Sequence, residues 1–348
     1  MGQPRETLEL DVTSIQDTLR CPACAAALLP EDRFCEQCGT RLTATLDDHR
    51  SEGGCTACGA PPEAIDEDEH CSRCGARWRS PEDRQEIDVG VAAGVSDRGR
   101  VRRRNEDALY VQSSNDGVAV VVCDGISSSL SPHVAARRAA STAGHALTAS
   151  LLDGQSTLES ATAQAIHAAQ QAVVEVRWTS RSKLDVPSCT LVCALCRDGE
   201  LAIGWVGDSR AYWIAGERSR QLTTDHSWAQ EQVASGQLSA GEARVAPRAH
   251  EITRWLGRDA PEGEPEILTS RSLETGRLVL CSDGLWNYVP GAREIAALVD
   301  ALPSGAAPVA LARALADAAL VAGGRDNITV TVIDLGPSTG DGNDHLHS

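Results

Sequence analysis

Beyond about residue 88, short apolar segments alternate with alanine-rich segments. The first kind predicts β-strands and the second predicts helices. The predicted strands are Val89–Val95, Ala108–Val111, Val118–Cys123, Thr190–Cys196, Leu201–Val206, Ala211–Ile214, Leu278–Cys281 and Ile328–Ile333. The predicted helices are Val134–Ala149, Leu158–Val176, Trp228–Ser235, Arg293–Val299 and Pro308–Val321. Short turns between neighbouring strands, such as Asp198-Gly199, favour antiparallel pairing. Ser131 and Pro132 fit the N-cap and first position of the first helix.

Eight of the thirteen cysteines fall before residue 75, in four Cys-x-x-Cys pairs. The pairs are Cys21/Cys24, Cys35/Cys38, Cys55/Cys58 and Cys71/Cys74. One such turn brings two thiolates to a metal, and two turns complete a tetrahedral zinc site. Pairing of neighbouring turns predicts a double zinc ribbon with two structural Zn(II) ions. A crossed pairing needs longer closures, and a redox dithiol array is the competing interpretation.

One cysteine of this region also fits a phosphatase motif. His70-Cys71 followed by Arg77 matches H-C-x5-R, the phosphate loop of cysteine-dependent phosphatases. An acidic segment precedes it where that loop needs a strand, and Cys74 continues the zinc repeat. A thiolate bound to zinc is not a free nucleophile, so we favour the zinc interpretation.

The charge of the chain limits its partners. The 348 residues carry a net charge of −17, and residues 1–85 hold nine arginines, no lysine and seventeen acidic residues. Such a chain repels nucleic acid and anionic membranes. The ribbons are therefore predicted to give structural support or to dock a protein partner. With no membrane span and no signal-peptide pattern, we expect a cytoplasmic protein.

Three carboxylates stand where apolar strands meet loops. Asp124 and Asp283 each follow a strand and precede a glycine, and Asp326 comes just before a strand. Converging carboxylates need a counter-cation, and hard oxygen ligands favour Mg(II) or Mn(II). Two such ions activate water for in-line attack, and an arginine grips phosphate oxygens. The segment Arg102–Asp107 supplies both acids and arginines, so the residues predict metal-assisted hydrolysis of a phosphoryl group.

The order of these motifs resembles the metal-dependent serine/threonine protein phosphatases, the PPM or type 2C family. The matching pieces are Ser96-Asp97-x-Gly99-x-x-Arg102-x-x-Asn105-Glu106-Asp107, VVCDG, Ser188-Cys189-Thr190, VGDSRAYW, LTTDHS, ITRWLG, LVLCSDGLW and GGRDNITV. The resemblance implies an α+β fold, an α-β-β-α sandwich of two antiparallel sheets flanked by helices. It implies hydrolysis of phosphoserine and phosphothreonine by a metal-bridging water, with phosphorylated proteins as substrates and a Ser/Thr kinase as the opposing enzyme.

The resemblance also assigns roles by position. Asp124 would bridge two Mn(II) or Mg(II) ions, with the Gly125 carbonyl as a further ligand. Asp283 and Asp326 would hold one ion and Glu106 the other, and Asp208 matches the ligand of a third ion. Asp107 would orient the attacking water, Arg102 would clamp the substrate phosphate, and Asn327 would support Asp326.

The resemblance and the cysteine pattern together predict the domain order. They give an N-terminal extension (1–20), the double zinc ribbon (21–78), a linker (79–87), the phosphatase domain (88–334) and a disordered tail (335–348).

Ile126-Ser127-Ser128-Ser129 replaces the small-residue loop that bacterial relatives carry after the first Asp-Gly. This departure supports an alternative, a catalytically impaired scaffold that binds phosphoproteins. A nucleic-acid-binding ribbon protein is the third hypothesis, and the acidic balance opposes it. Two further patterns have structural interpretations: Asp225-His226-Ser227 as a loop, and Cys193 and Cys196 as core thiols.

Overall fold

The computed structural model describes residues 54–55, 58–65, 70–75, 83–178, 186–271 and 275–335. The chain divides into two units, residues 1–80 and 81–348. The strands of the larger unit are β1 (Arg84–Asp88), β2 (Ala92–Asp97), β3 (Ala108–Ser114), β4 (Gly117–Cys123), β5 (Ser188–Cys189), β6 (Leu191–Arg197), β7 (Glu200–Val206), β8 (Arg210–Ile214), β9 (Arg220–Gln221), β10 (Leu256–Gly257), β11 (Glu266–Arg271), β12 (Gly276–Cys281) and β13 (Ile328–Leu335). Its helices are α1 (Pro132–Asp153), α2 (Leu158–Val174), α3 (Trp228–Ala234), α4 (Ala240–Val245), α5 (Asp283–Trp286), α6 (Ala292–Asp300) and α7 (Pro308–Ala322).

The strands form two main antiparallel sheets. One sheet has the order β1-β2-β13-β12-β8-β9, and the other has the order β11-β7-β6-β4-β3. The two-residue strands β5 and β10 pair separately. Every pairing between the strands is antiparallel, as the short turns predict.

Apolar side chains on both faces of the central strands build three core layers. In β4, Val118, Val120 and Val122 pack between the two sheets, whereas Ala119, Val121 and Cys123 pack against α1 and α2. The six-stranded sheet packs its outer face against α5, α6 and α7. Successive side chains of a strand point to opposite faces of the sheet, so each central strand contributes side chains to two neighbouring core layers. The layer order is helix, sheet, sheet, helix, and the predicted sandwich is confirmed.

The structure differs from the sequence prediction at the start of the larger unit. Val89–Val91, predicted to begin a strand, form a turn in which the Val89 amide donates to Ala92 O at 2.9 Å. Residues 84–88, assigned mostly to the linker, form β1, which pairs with β2. β1 is an edge strand with the sequence Arg-Gln-Glu-Ile-Asp. Its alternation of apolar and polar residues is weak, because only one side of the strand is covered by the rest of the protein.

Helix α1 begins at Pro132, as predicted, but Ser131 does not cap it with its side chain. Ser131 instead adopts a left-handed conformation with φ of 50°. Within the described ranges, no helix combines the length and the apolar character needed to cross a lipid bilayer.

The described part of the smaller unit contains the last two Cys-x-x-Cys turns. In each turn the glycine after the second cysteine has a positive φ, +69° for Gly59 and +71° for Gly75. Each glycine amide donates to the carbonyl of the first cysteine, Cys55 or Cys71, at 2.8 and 2.7 Å. The glycine thus permits the tight backbone turn beneath the sulfur atoms, as its place in the sequence indicates.

Candidate functional site

Antiparallel pairing brings the predicted site residues to one end of the sandwich. The end of β12 lies beside the start of β13, because Cys281 is paired with Val330. The end of β2 also lies there, since Asp97 is paired with Ile328. In the other sheet, the end of β4 meets the start of β3 through Cys123 and Ala108. The carboxylates that follow or precede these strands therefore share one edge, although they come from distant parts of the chain.

Arg102 contacts the Asp326 carboxylate directly and the Glu106 carboxylate through Ser127. Its Nη2 donates to Asp326 Oδ2 at 2.6 Å, and its Nη1 donates to Ser127 Oγ at 2.9 Å. The Ser127 hydroxyl donates to Glu106 Oε2 at 2.7 Å. The Asp326 carboxylate, through its hydrogen bond and charge, raises the pKa of Arg102, and the charges of Glu106 and Asp124 add to the rise. A permanent cation thus sits at the rim of the acidic cluster.

Asn327 joins the loops that carry these groups. Its Oδ1 accepts from the Glu106 amide at 2.8 Å, and its Nδ2 donates to the carbonyls of Arg98 and Arg104 at 2.8 and 3.0 Å. Its own amide donates to Asp326 Oδ1 at 2.9 Å. The side chain is 3% exposed, so these bonds satisfy a buried amide and fix the Arg98–Glu106 loop to Asp326.

Asp124 and Asp283 lie close enough for their negative charges to act on each other. Burial raises the pKa of Asp124 well above its ordinary value, and the negative charges of Asp107 and Asp283 add to the rise. Burial and the negative charge of Asp326 together raise the pKa of Asp283 to about 6. Asn287, one helical turn later in the chain, donates to Asp283 Oδ2 at 3.1 Å and opposes the rise.

Asp107 lies deeper, 4% exposed. Its Oδ2 accepts from the Ser282 hydroxyl at 2.8 Å, whereas its Oδ1 is buried and has no hydrogen-bond partner. Burial raises the pKa of Asp107 to about 7. An unpartnered buried carboxylate oxygen is costly, and a cation or an ordered water beside it would remove that cost.

Asp208 enters the cluster from the turn between β7 and β8, which belong to different sheets. Its carbonyl accepts from Trp286 Nε1 at 3.0 Å. Burial, together with the charges of Asp283 and Asp225, raises the pKa of Asp208 to about 8, and the charge of Arg210 opposes the rise.

The donor set of this cluster fits hard divalent cations. Five buried or half-buried aspartates face one another, and four of them have raised pKa values in the absence of a cation. In the part of the chain that the structure describes, only a group of four cysteines has all its ligand atoms within 4.8 Å of one another. Carboxylate oxygens are the ligands that Mg(II) and Mn(II) prefer.

The group of four cysteines consists of Cys55, Cys58, Cys71 and Cys74. The Sγ atoms of Cys55 and Cys74 are 3.6 Å apart, and those of Cys58 and Cys71 are 3.7 Å apart. A tetrahedron with Zn–S bonds of ~2.3 Å has S···S edges of ~3.8 Å, so the four thiols fit one Zn(II). Pairing of neighbouring turns is thereby confirmed for this half. Cys21, Cys24, Cys35 and Cys38 lie outside the described residues.

Comparison with known families decides between the remaining interpretations. A family model described as protein phosphatase 2C matches residues 97–319 of the chain. The chain belongs to the protein phosphatase 2C family. A second model, described as double zinc ribbon, matches residues 21–83.

The relatives of this family member are bacterial. It is 33% identical over 244 residues to the serine/threonine phosphatase stp of Listeria welshimeri, an alignment that covers 69% of this chain and 93% of that protein. The solved structure of the serine/threonine phosphatase Stp1 from Staphylococcus aureus has a TM-score of 0.61 at 26% identity, covering 72% and 96% of the two chains. The catalytic domain of the phosphatase PstP, solved in complex with two manganese ions, has a TM-score of 0.52 at 28% identity, covering 70% and 96%.

Two serines that support the site of this phosphatase-family chain were not predicted from the sequence. Ser127 contacts Arg102 and Glu106, and Ser282 contacts Asp107. The one available signal was position: Ser282 directly precedes Asp283 at the end of an apolar strand. Ser127 gave none, because it lies in the loop that departs from the family pattern.

The departing loop is an ordered turn. The Ser129 amide donates to Ile126 O at 2.8 Å, and the Ile126 amide donates to Ser188 O at 3.0 Å. The scaffold hypothesis depended on this loop, and a turn that contacts Arg102 and Glu106 gives it no support.

Asp225-His226-Ser227 does not form a catalytic group. Asp225 pairs with Arg210 at 2.6 Å, His226 Nε2 lies 3.0 Å from Glu266 Oε1, and Ser227 caps α3 through the Gln230 amide. The three side chains thus have three separate partners. Cys193 and Cys196 are buried in β6, and burial raises the pKa of each thiol to about 12, so they are core thiols as predicted.

Proposed function

We propose that this chain hydrolyses phosphoserine and phosphothreonine in proteins, with divalent cations held by its aspartate cluster. The observation that carries the proposal is the meeting of Asp124, Asp283 and Asp326 beside Arg102. The curated relatives are named serine/threonine phosphatases, which supports the same substrate class. A Ser/Thr kinase is the opposing enzyme under this proposal, and the cytoplasm is the expected location.

The residues that would hold Mn(II) or Mg(II) are Asp124, the Gly125 carbonyl, Asp283, Asp326 and Glu106, with Asp208 available for a third ion. When bound, these cations neutralise the aspartates, activate a water molecule and polarise the phosphoryl group. Burial and neighbouring negative charges raise the pKa values of Asp124 and Asp283. Binding of either a proton or a metal cation relieves this unfavourable concentration of negative charge.

Arg102 binds the substrate phosphate in this proposal. Its guanidinium is about one-third exposed and is already oriented by Asp326 and Ser127 on two sides. A planar guanidinium held in this way binds phosphate oxygens with little loss of side-chain entropy.

Asp107 orients the attacking water. Its Oδ2 is fixed by Ser282, whose amide and hydroxyl are tied to the backbone of Thr329, so Oδ1 is the free acceptor. A carboxylate within hydrogen-bond reach of a water molecule can orient that water as an acceptor. No residue of the cluster is placed as a covalent nucleophile, and water is the attacking group.

The double zinc ribbon serves as a structural unit with two Zn(II) ions in this proposal, and it provides a surface for a protein partner. The support is the four-cysteine group of the described half and the repeat of the same spacing before it.

The decisive experiment is release of phosphate from a phosphothreonine peptide during titration with MnCl2. We expect Mn-dependent turnover by the wild type and its loss in Asp283→Ala. Asp300→Ala, which removes an exposed aspartate at the end of α6, should retain full activity. A wild type without Mn-dependent release, or an Asp283→Ala variant with normal turnover, would refute the proposal.

A further inference from the structure

Ser127 contacts both halves of the candidate site at once. Its Oγ lies 2.9 Å from Arg102 Nη1 and 2.7 Å from Glu106 Oε2. Arg102 is proposed to bind the substrate phosphate, and Glu106 is proposed to bind a cation. Ser127 itself is exposed at the rim of the site.

The direction of these two hydrogen bonds is fixed by chemistry. A hydroxyl has one proton to donate and two lone pairs to accept with. The guanidinium only donates, and an ionised carboxylate only accepts. The Ser127 proton must therefore go to Glu106, and the Ser127 oxygen must accept from Arg102. Alanine at this position removes both bonds.

The backbone around Ser127 is held firmly. Ile126 and Ser129 close a turn at 2.8 Å, and the Ile126 amide is bound to Ser188 O. On the preceding side, the Gly125 amide donates to Glu106 O at 3.2 Å, and a Cβ on Gly125 would lie 2.7 Å from that same oxygen. The loop therefore stays close to the Glu106 backbone, and Ser127 acts from a fixed point.

We infer that Ser127 is a positioning residue, which sets Arg102 for substrate phosphate and Glu106 for its cation. Ser127 and Asp326 both contact the Arg102 guanidinium, and Asp326 is itself a proposed cation ligand. The Ser127 hydroxyl would thus keep the Arg102 guanidinium oriented while Asp326 binds a cation. The inference depends on the proposed function for its effect on turnover, but its effect on cation affinity can be measured separately.

The test compares Ser127→Ala with Ser127→Thr, which keeps the hydroxyl, and with Ser128→Ala, which removes an exposed hydroxyl next to it in the same loop. KM and kcat are measured on the phosphothreonine peptide, and Mn(II) affinity is measured by titration followed by electron paramagnetic resonance. Thermal unfolding of the metal-free variants establishes that each is folded.

We expect Ser127→Ala to raise KM about tenfold, as for the loss of one hydrogen bond to a charged group, with a much smaller change in kcat. Its Mn(II) affinity should fall several-fold, and Ser127→Thr and Ser128→Ala should behave as the wild type. An unchanged or lower KM in Ser127→Ala, or a Ser127→Thr variant as impaired as Ser127→Ala, would overturn the inference. If the wild type shows no turnover, the proposed function fails and Mn(II) affinity alone decides: equal affinity in Ser127→Ala and the wild type overturns the inference, and weaker binding supports it.

Discussion

At the scale of single residues, the site consists of acids whose ionisation is suppressed by burial and by one another. Burial raises the pKa of Asp283 to about 6, that of Asp107 to about 7 and that of Asp208 to about 8. The same groups in an unfolded chain titrate near ~3.9. Between about pH 4 and pH 8, these aspartates therefore bind more protons in the folded protein without metal than in the unfolded chain. The stability that they contribute falls as pH rises through that range and levels off above it.

We predict that the melting temperature of the metal-free protein falls between pH 5.5 and pH 8.5, and that MnCl2 raises it more at pH 8.5 than at pH 5.5. The reason is that the cation replaces protons that are lost at high pH. Differential scanning fluorimetry across this range measures both effects. Asp107→Asn should make the decline shallower, while Asp300→Asn, at an exposed position, should leave it unchanged. A melting temperature of the metal-free wild type that rises with pH would contradict this explanation.

The sequence predicts these acids and the support of Asp326 by Asn327, but it does not predict the other contacts that hold the acids in place. Asp124, Asp283 and Asp326 stand at strand ends, which is a one-dimensional signal. Asn327 holds Glu106 across 221 positions of sequence, and Ser282 reaches Asp107 across 175. Such contacts depend on strand register in three dimensions, and a sequence pattern carries no information about them.

At the scale of the elements, apolar periodicity predicts the strands and helices that are buried on one or both faces. It misses the two-residue strands β5, β9 and β10 and the four-residue helix α5. It also misses β1, β11 and α4, which are short or have exposed faces. Their polar sequences resemble loops, and they form because a neighbouring strand or loop supplies hydrogen bonds. β11, for example, pairs with β7 through all six of its residues, Glu266 to Arg271.

Helix α1 shows how closely the layers pack. Gly144 lies at its centre against the Tyr110 ring of β3, and a Cβ there would come within 2.2 Å of Tyr110 Cγ. The Tyr110 hydroxyl is hydrogen-bonded to Thr148 Oγ1 at 3.0 Å, so the ring cannot easily move away. The absence of a side chain at Gly144 is thus a packing requirement that outweighs helix propensity.

We predict that Gly144→Ala lowers the free energy of unfolding by about 1–3 kcal/mol, although alanine is the better helix former by ~1 kcal/mol. Urea denaturation measures the change. Gly241→Ala in α4 is the matched control, because a Cβ at that position would meet no described atom within 4 Å, and it should be neutral or slightly stabilising. Equal stability of the two variants would show that α1 can shift away from Tyr110.

At the scale of the whole molecule, the chain combines two units with different sources of stability. The larger unit has three apolar core layers, whereas the described part of the smaller unit has a small cluster around Cys55, Ala60 and Cys71. A metal ion bound by the four-cysteine group would stabilise this cluster, because its binding free energy adds to the folding free energy.

We predict that a zinc chelator removes about two zinc ions per chain and unfolds the ribbon without changing the unfolding transition of the larger unit. Metal analysis and scanning calorimetry measure the two parts of this prediction. Cys58→Ser should lose one of the two ions, whereas Cys193→Ser, at a core thiol of β6, should lose none. A zinc content unaffected by Cys58→Ser would mean that the described cysteines are not the ligands.

The central claim is that Asp124, Asp283 and Asp326 hold cations together in one site beside Arg102. The most direct measurement is an anomalous difference map from crystals of the full chain grown with MnCl2, with data collected at the manganese absorption edge. The claim predicts at least two peaks among these three carboxylates and Glu106. Peaks elsewhere on the protein, with none between Asp124 and Asp283, would contradict it.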